Sequence, residues 1–154
     1  MSANPTNLLK TGHEEIDREH AVLLDLLTQL DGVCLVTPMV SAVCTGCSAG
    51  RHRACEDALL DILTRVLGFT VDHFAFEEKA MHWLPGSPER AAHCDAHIED
   101  HARISKALHD LAVSLAPADI IGTGIELQTV IRCWLGEHIM NFDLQFVRLL
   151  NAEG

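Results

Sequence analysis

Apolar residues recur every three or four positions through four long stretches of the chain, and this spacing limits the fold more than any other feature. Side chains at that spacing share one face of an α-helix. We therefore expect an all-α fold, an antiparallel up-down-up-down four-helix bundle formed by one domain over the whole chain, 1–154. The spacing predicts four helices, over residues 14–35, 55–83, 89–115 and from between 117 and 124 to about 150.

The connection between the first two predicted helices, residues 31–54, is unusually long. It contains Pro38, three glycines and three of the six cysteines of the chain. Long connections within a compact domain are uncommon and often carry function. We therefore expect a cysteine-containing insert between helices one and two.

Length, charge and the lack of a targeting signal limit the class of protein. A chain of 154 residues suits one domain. Its 22 acidic and 11 basic residues give a net charge of −11, which disfavours nucleic acid and anionic membranes as partners. The N-terminal residues contain no basic segment followed by an apolar one, and no stretch reaches the length of a membrane span. We therefore expect a cytoplasmic protein that binds neither nucleic acid nor membrane.

Several of the ten histidines stand at helical spacing from another histidine or an acidic residue. His73 and Glu77 are four residues apart, for example, so they share one helix face. A single histidine on a helix is usually solvated or hydrogen-bonded, but candidates on all four helices favour one buried metal centre inside the bundle. The candidate ligands are His20, His73, Glu77, His93, His97, His101, His138 and Asp143.

This ordered set resembles the hemerythrin family, most closely its bacteriohemerythrin-like domains. The resemblance covers nearly the whole chain except the long first connection, and it is carried by TGHEEIDREH (11–20), HFAFEEKAM (73–81), HIEDH (97–101) and WLGEHIMNFD (134–143). It implies a non-haem di-iron centre, in which two iron ions are bridged by two carboxylates and by an oxo or hydroxo group. By position, the implied ligands are His20, His73, Glu77, His97, His101, His138 and Asp143.

The resemblance also implies that O2 binds at an iron position that the protein leaves open. Five imidazoles, two bridging carboxylates and one oxo or hydroxo bridge occupy all but one of the positions around two six-coordinate irons. Phe74, Trp134 and Ile139 would line the O2 pocket and exclude water, and the same residues also suit the apolar core. In contrast, we expect Glu78 and Glu137, which adjoin implied ligands, to face solvent.

Two details of the match leave alternatives. His93 and His97 are four residues apart, so they compete with His97 and His101 as the pair on the third helix, although the residues after His101 favour the second pair. His138 and Asp143 are five residues apart and would not share a face on an ideal α-helix. We predict a local π-bulge that brings these two side chains together.

The cysteines near the first connection form a group of their own, with the spacing Cys44-x2-Cys47-x4-His52-x2-Cys55 and with Cys34 upstream. One hypothesis is a zinc site made by Cys44, Cys47, Cys55 and either Cys34 or His52. A second is a redox-active thiol pair of Cys44 and Cys47. The third is that these are ordinary reduced thiols, as expected in the cytoplasm.

Three functions suit this set of features. The first is reversible O2 binding, used for O2 or redox sensing with a fused or separate signalling domain, or for O2 carriage. The second is a di-iron enzyme that reduces peroxide, O2 or NO, and the third is a non-redox metal-binding module. A centre rich in histidine suits binding, and the Glu-x-x-His pairs typical of di-iron oxygenases do not occur in the sequence. We therefore favour binding and sensing over turnover.

Overall fold

Four long helical segments, and no strand, make up the described part of the chain. The computed structural model describes residues 9–33, 48–84, 86–115 and 120–152. The first three segments are α1 (Glu14–Gly32), α2 (Ala49–His82) and α3 (Pro88–Ser114). The fourth is continuous through α4 (Ile120–Cys133), a π-helix (Trp134–Asp143) and α5 (Leu144–Asn151). The segments pack into a helical bundle, which confirms the all-α prediction, and none of these helices is long and apolar enough to cross a membrane.

Serine side chains cap two of the helices where they begin. The backbone N–H of Arg51 donates to Ser48 Oγ at 3.4 Å, and the N–H of Arg90 donates to Ser87 Oγ at 3.3 Å. Such bonds satisfy N–H groups that have no partner within the helix. The caps place the first residues of α2 and α3 at 49 and 88.

The connection between the first two helices is shorter than the predicted insert of about 31–54. Residues 31 and 32 belong to α1, and residues 49–54 belong to α2. The first turns of α2 contain few apolar residues, so the apolar spacing missed them, whereas the cap at Ser48 allows the helix to begin there. His52 and Cys55 therefore lie on α2 and not in a loop, whereas Cys34, Cys44 and Cys47 lie outside the described residues.

Apolar side chains form two buried clusters on either side of a group of buried polar residues. Each fully buried leucine or isoleucine contributes roughly 1.5–3 kcal/mol relative to an exposed one. On α1 the buried His20 lies between Ile16 of the smaller cluster and Leu23 of the larger one, and on the fourth segment Asp143 lies between Ile139 and Phe146. The larger cluster includes Leu23, Leu63, Leu108 and Ile131, and the smaller consists of Ile16, Met81, Phe146 and Val147.

The π-helix confirms the predicted bulge between His138 and Asp143. At its end the N–H of Leu144 donates to the carbonyl of Ile139, five residues back instead of four. The wider turn lets side chains five apart point in the same direction. Both His138 and Asp143 are completely buried.

Candidate metal centre

The seven side chains implied as ligands meet in the interior of the bundle, and none is more than 2% exposed. They form two adjoining groups, and within each group the potential ligand atoms all lie within 4.8 Å of one another. The first group is Glu77, His97, His101 and His138, and the second is His20, His73 and Asp143. The four helical segments thus bring together residues that are up to 123 positions apart in the sequence.

The carboxylate of Asp143 contacts histidines of both groups. Its Oδ1 lies 3.0 Å from Nε2 of His97 and 3.0 Å from Nε2 of His138. Its Oδ2 lies 3.0 Å from Nε2 of His20. Asp143 therefore has one oxygen directed at each group, as a bridging carboxylate requires.

The carboxylate of Glu77 also contacts histidines of both groups, but through a single oxygen. Its Oε2 lies 3.1 Å from Nε2 of His101 and 3.5 Å from Nε2 of His97, in its own group. The same oxygen lies 3.7 Å from Nε2 of His73 in the other group. Glu77 and Asp143 thus both lie where the two groups meet.

The unsatisfied atoms of the cluster fit a bound cation. His73 Nε2 and Glu77 Oε1 are buried and have no hydrogen-bond partner among the described residues. Nε2 of His97 and Nε2 of His138 lie only 3.2 Å apart and converge on the same space. Buried polar atoms without a partner cost free energy, and a cation held between these nitrogens and oxygens would remove that cost. A donor set of imidazole and carboxylate suits first-row transition metals, including iron.

The protein shifts the pKa values of the Glu77 and Asp143 carboxylates in opposite directions. Burial, reinforced by the negative charge of Asp143, raises the pKa of Glu77 well above its usual value. Burial also acts to raise the pKa of Asp143, but its close contacts with the rings of His138, His20 and His97 outweigh burial and hold this pKa well below its usual value. Without a cation the site stabilises only one of the two negative charges. A metal ion would let both carboxylates ionise.

Burial keeps two histidines of the first group, His101 and His97, neutral. It lowers the pKa of His101 to about 2, with further lowering from nearby His97 and His138. It also lowers the pKa of His97. Neutral imidazole is the form that binds a metal, so these rings need not lose a proton first.

Four of the five histidines donate their outer ring N–H to an oxygen of the protein. Three of these acceptors are carboxylates that our sequence analysis did not assign to the site. The bonds run from His73 Nδ1 to Glu19 (2.6 Å), His101 Nδ1 to Glu78 (2.9 Å), His138 Nδ1 to Asp100 (2.7 Å) and His20 Nδ1 to the Leu9 carbonyl (3.2 Å). A bond of this kind fixes the tautomer and turns Nε2 towards the metal side of the ring.

Glu78 faces solvent in part, as expected, but it also contacts a candidate ligand. Its side chain is 41% exposed, but one oxygen binds the ring of His101. Each of the three carboxylates follows or precedes a candidate ligand in the chain, yet it bonds to a histidine of the next helical segment. The sequence does show that each carboxylate adjoins a candidate ligand in the chain. This position does not reveal that its hydrogen-bond partner lies on another helix.

His93 lies outside both groups, although its ring is 5.7 Å from that of His97. His97 and His101 both point into the cluster. The geometry thus favours His97 and His101 as the third-helix pair. His97 is also the one histidine of the set whose Nδ1 has no partner among the described residues.

Aromatic and aliphatic side chains surround the histidines. The ring of Phe74 stacks on His101, with centroids 3.8 Å apart. Trp134 is completely buried, with its ring 5.8 Å from that of His73, and Ile139 is completely buried in the larger apolar cluster. These residues have the position expected of an apolar lining, and their contact with O2 stays a prediction.

The cysteine group is only partly described. His52 and Cys55, both half-buried, lie three residues apart near the start of α2. Because Cys34, Cys44 and Cys47 lie outside the described residues, the zinc, redox and ordinary-thiol hypotheses stay predictions.

Comparison with known proteins agrees with this geometry. The model of the hemerythrin HHE cation binding domain matches residues 11–150. Bacteriohemerythrins of Pseudomonas aeruginosa strains LESB58 and UCBPP-PA14 are each 24% identical over 139 residues, which cover 90% of this chain and 75% of the relative. No solved structure gives a significant match. A match over nearly the whole chain, together with the buried cluster of histidines and carboxylates, shows that the chain belongs to the hemerythrin family.

Proposed function

We propose that this protein holds two iron ions and binds O2 reversibly. The observation that carries the proposal is the arrangement of two adjoining ligand groups that share two carboxylates. The proposed ligands are His20, His73, Glu77, His97, His101, His138 and Asp143, with an oxo or hydroxo group as the third bridge between the irons. When bound, the two irons would supply the electrons that O2 binding requires.

The two groups are unequal, and this difference supports O2 binding. The first group contains three histidines and the second contains two, so the second offers one nitrogen fewer. That difference leaves room for a small ligand beside His20 and His73. Phe74, Trp134 and Ile139 would line this space and keep bulk water away from it, which slows irreversible oxidation of the iron.

The test combines metal analysis with the absorption spectrum of the reduced protein before and after exposure to air. We expect about two irons per chain and charge-transfer bands that appear with O2 and disappear when O2 is removed. Zinc alone, or less than about one iron per chain, would overturn the proposal. Steady consumption of peroxide or NO by a reductant would indicate an enzyme, and two irons with neither behaviour would indicate a non-redox metal-binding module.

We further propose that the protein serves O2 or redox sensing, in the cytoplasm, and passes its signal to a fused or separate signalling domain. The cysteines of the insert and of the start of α2 support sensing over carriage, because thiols respond to the same oxidants as the iron. A zinc-loaded cysteine group would instead stay loaded when the protein is cycled between reducing and oxidising buffer. Mass spectrometry of the alkylated protein in reducing and in oxidising buffer distinguishes redox-active thiols from a zinc-loaded cysteine group.

The order of the buried clusters supports the up-down-up-down topology and one domain. Along α1 the chain passes from the smaller cluster, through His20, to the larger cluster. Along α3 it passes from Cys94, which packs against the smaller cluster, through His97 and His101 to the larger cluster. Along α2 and the fourth segment it passes in the opposite order. We propose that successive segments are antiparallel, which distance measurements between spin labels at the segment ends would test.

A further inference from the structure

A cavity lined mainly by polar side chains lies beside the metal centre, between the start of α3 and α5. Its volume is about 710 Å³, which is within the range of small-molecule pockets, roughly 300–1,000 Å³. Arg90 and His93 line it from α3, and Gln145 and Arg148 line it from α5. Each pair is three residues apart, so both helices present their polar pair on one face. None of the four belongs to the two ligand groups of the metal centre.

Two positively charged side chains line this cavity, although the chain as a whole is acidic. The protein carries 11 basic residues against 22 acidic ones, yet Arg90 and Arg148 line the same cavity. The guanidinium of Arg148 forms no ion pair with any described residue. A guanidinium presents several N–H groups in one plane, which match the oxygens of a carboxylate or a phosphate.

His93 adds a polar atom that the protein leaves unsatisfied. Its Nε2 is buried and has no hydrogen-bond partner among the described residues. The ring packs against Phe142 and His97, with centroids 6.1 and 5.7 Å away. A buried nitrogen without a partner is expensive, and an oxygen of a ligand in the cavity would satisfy it.

Glu89 also lines the cavity, and its carboxylate opposes a negative ligand. It lies in the first turn of α3, where a carboxylate is favoured by the helix dipole. A small ligand placed towards Arg148 can avoid it, whereas a large polyanion cannot. The wall therefore favours a compact ligand that carries one or two negative charges.

We propose that this cavity binds a small oxyanion, a carboxylate or a phosphate group, through Arg90, Arg148 and His93. The site adjoins the metal centre through the contact between His93 and His97, but it uses none of the proposed iron ligands. The test of this site is therefore independent of the test of the di-iron proposal.

Calorimetric titration of the full-length protein at low ionic strength tests the proposal, with inorganic phosphate and succinate as separate probes. We expect at least one of them to bind saturably at one site per chain, and the one that binds identifies the source of the oxyanion. Arg148→Gln should weaken binding about tenfold, because it removes hydrogen bonds to a charged group. Glu89→Gln should strengthen binding, because it removes the opposing charge.

Arg18→Gln is the matched control. Arg18 is an exposed arginine on α1 that pairs with Glu14, so its loss changes the net charge equally but should leave binding unchanged. The proposal is overturned if neither probe binds saturably up to about 10 mM, or if Arg18→Gln weakens binding as much as Arg148→Gln does. Circular dichroism of each variant shows whether the helices are intact, and the opposite effect of Glu89→Gln tests the site without removing any arginine.

Discussion

Removal of the Asp100 carboxylate would show how strongly the outer hydrogen bonds support the candidate metal centre. Asp100 Oδ2 accepts from His138 Nδ1 at 2.7 Å, and its Oδ1 accepts from Arg103 Nε at 2.7 Å. The side chain is 13% exposed. Burial acts to raise the pKa of Asp100, but the bonds from Arg103 and His138 outweigh it and lower the pKa. The group is therefore an anion at neutral pH, and its bond to the imidazole is charge-assisted.

The expected loss follows from the type of bond. Loss of an outer hydrogen bond to a metal-binding histidine typically lowers metal affinity about 10–100-fold, or roughly 1.4–2.8 kcal/mol. In Asp100→Ala the His138 ring loses its acceptor, so we expect the larger effect. In Asp100→Asn an amide oxygen can still accept, so we expect a loss of about tenfold.

Anaerobic titration of iron(II) against a competing chelator measures this affinity. Asp110→Ala is the matched control, because Asp110 lies on the same helix, is 59% exposed and pairs only with Lys106 at the surface among the described residues. Arg103→Ala reports the separate effect of losing the ion pair with Asp100. The reasoning is refuted if Asp100→Ala binds iron as tightly as the unchanged protein, or if Asp110→Ala weakens binding to the same extent.

Three further perturbations have defined outcomes. His93→Ala should keep both irons, whereas His101→Ala should lose iron or its absorption bands, and metal analysis of the two variants compares them directly. Acidification below pH 6.5 should destabilise the metal-free protein: the folded-state pKa of His101 is about 2, so the unfolded chain binds the additional proton and the free energy of unfolding falls by about 1.4 kcal/mol per pH unit from this residue. The lowered pKa of His97 acts in the same direction, and the raised pKa of Glu77 acts in the opposite one. Urea unfolding between pH 7 and 5 should show a free energy of unfolding that falls as the pH falls, and a flat or inverted dependence would contradict the assignment. Deletion of the half-exposed Met140 shortens the spacing between the two ligands of the π-helix from five to four, so this variant should keep its iron and gain a regular α-helix, whereas loss of iron would show that the π geometry itself is required.

The parts of the fold that the sequence predicted are those set by local spacing. Side chains at three- and four-residue intervals must share a helix face, so the four helical segments could be predicted without knowledge of the rest of the chain. Their apolar faces, which include Leu23 and Leu108, are buried. The five-residue interval between His138 and Asp143 was equally informative. Because both side chains were expected at one centre, only a wider turn could reconcile the spacing with an otherwise regular helix.

The missed features depend on contacts that spacing does not encode. The start of α2 is set by the cap at Ser48, in a stretch with little apolar periodicity. In the sequence, Glu19 and Asp100 cannot be distinguished from ordinary surface carboxylates. Nothing there shows that Glu19 bonds to His73, or that Asp100 bonds to His138, on another helix. A role that depends on two helices being in register cannot be derived from either helix alone.

The outer hydrogen bonds also tie the metal centre to the packing of the whole bundle. Glu19 on α1 orients a ring on α2, Glu78 on α2 orients a ring on α3, and Asp100 on α3 orients a ring on the π-helix. The rings are therefore correctly placed only when each pair of successive helices is docked. A metal that needs all of these rings binds the packed bundle and not a partly open one, so its binding free energy adds to the free energy of unfolding. It follows that core substitutions far from any ligand, where they loosen one helix against the next, should lower metal affinity as well as stability.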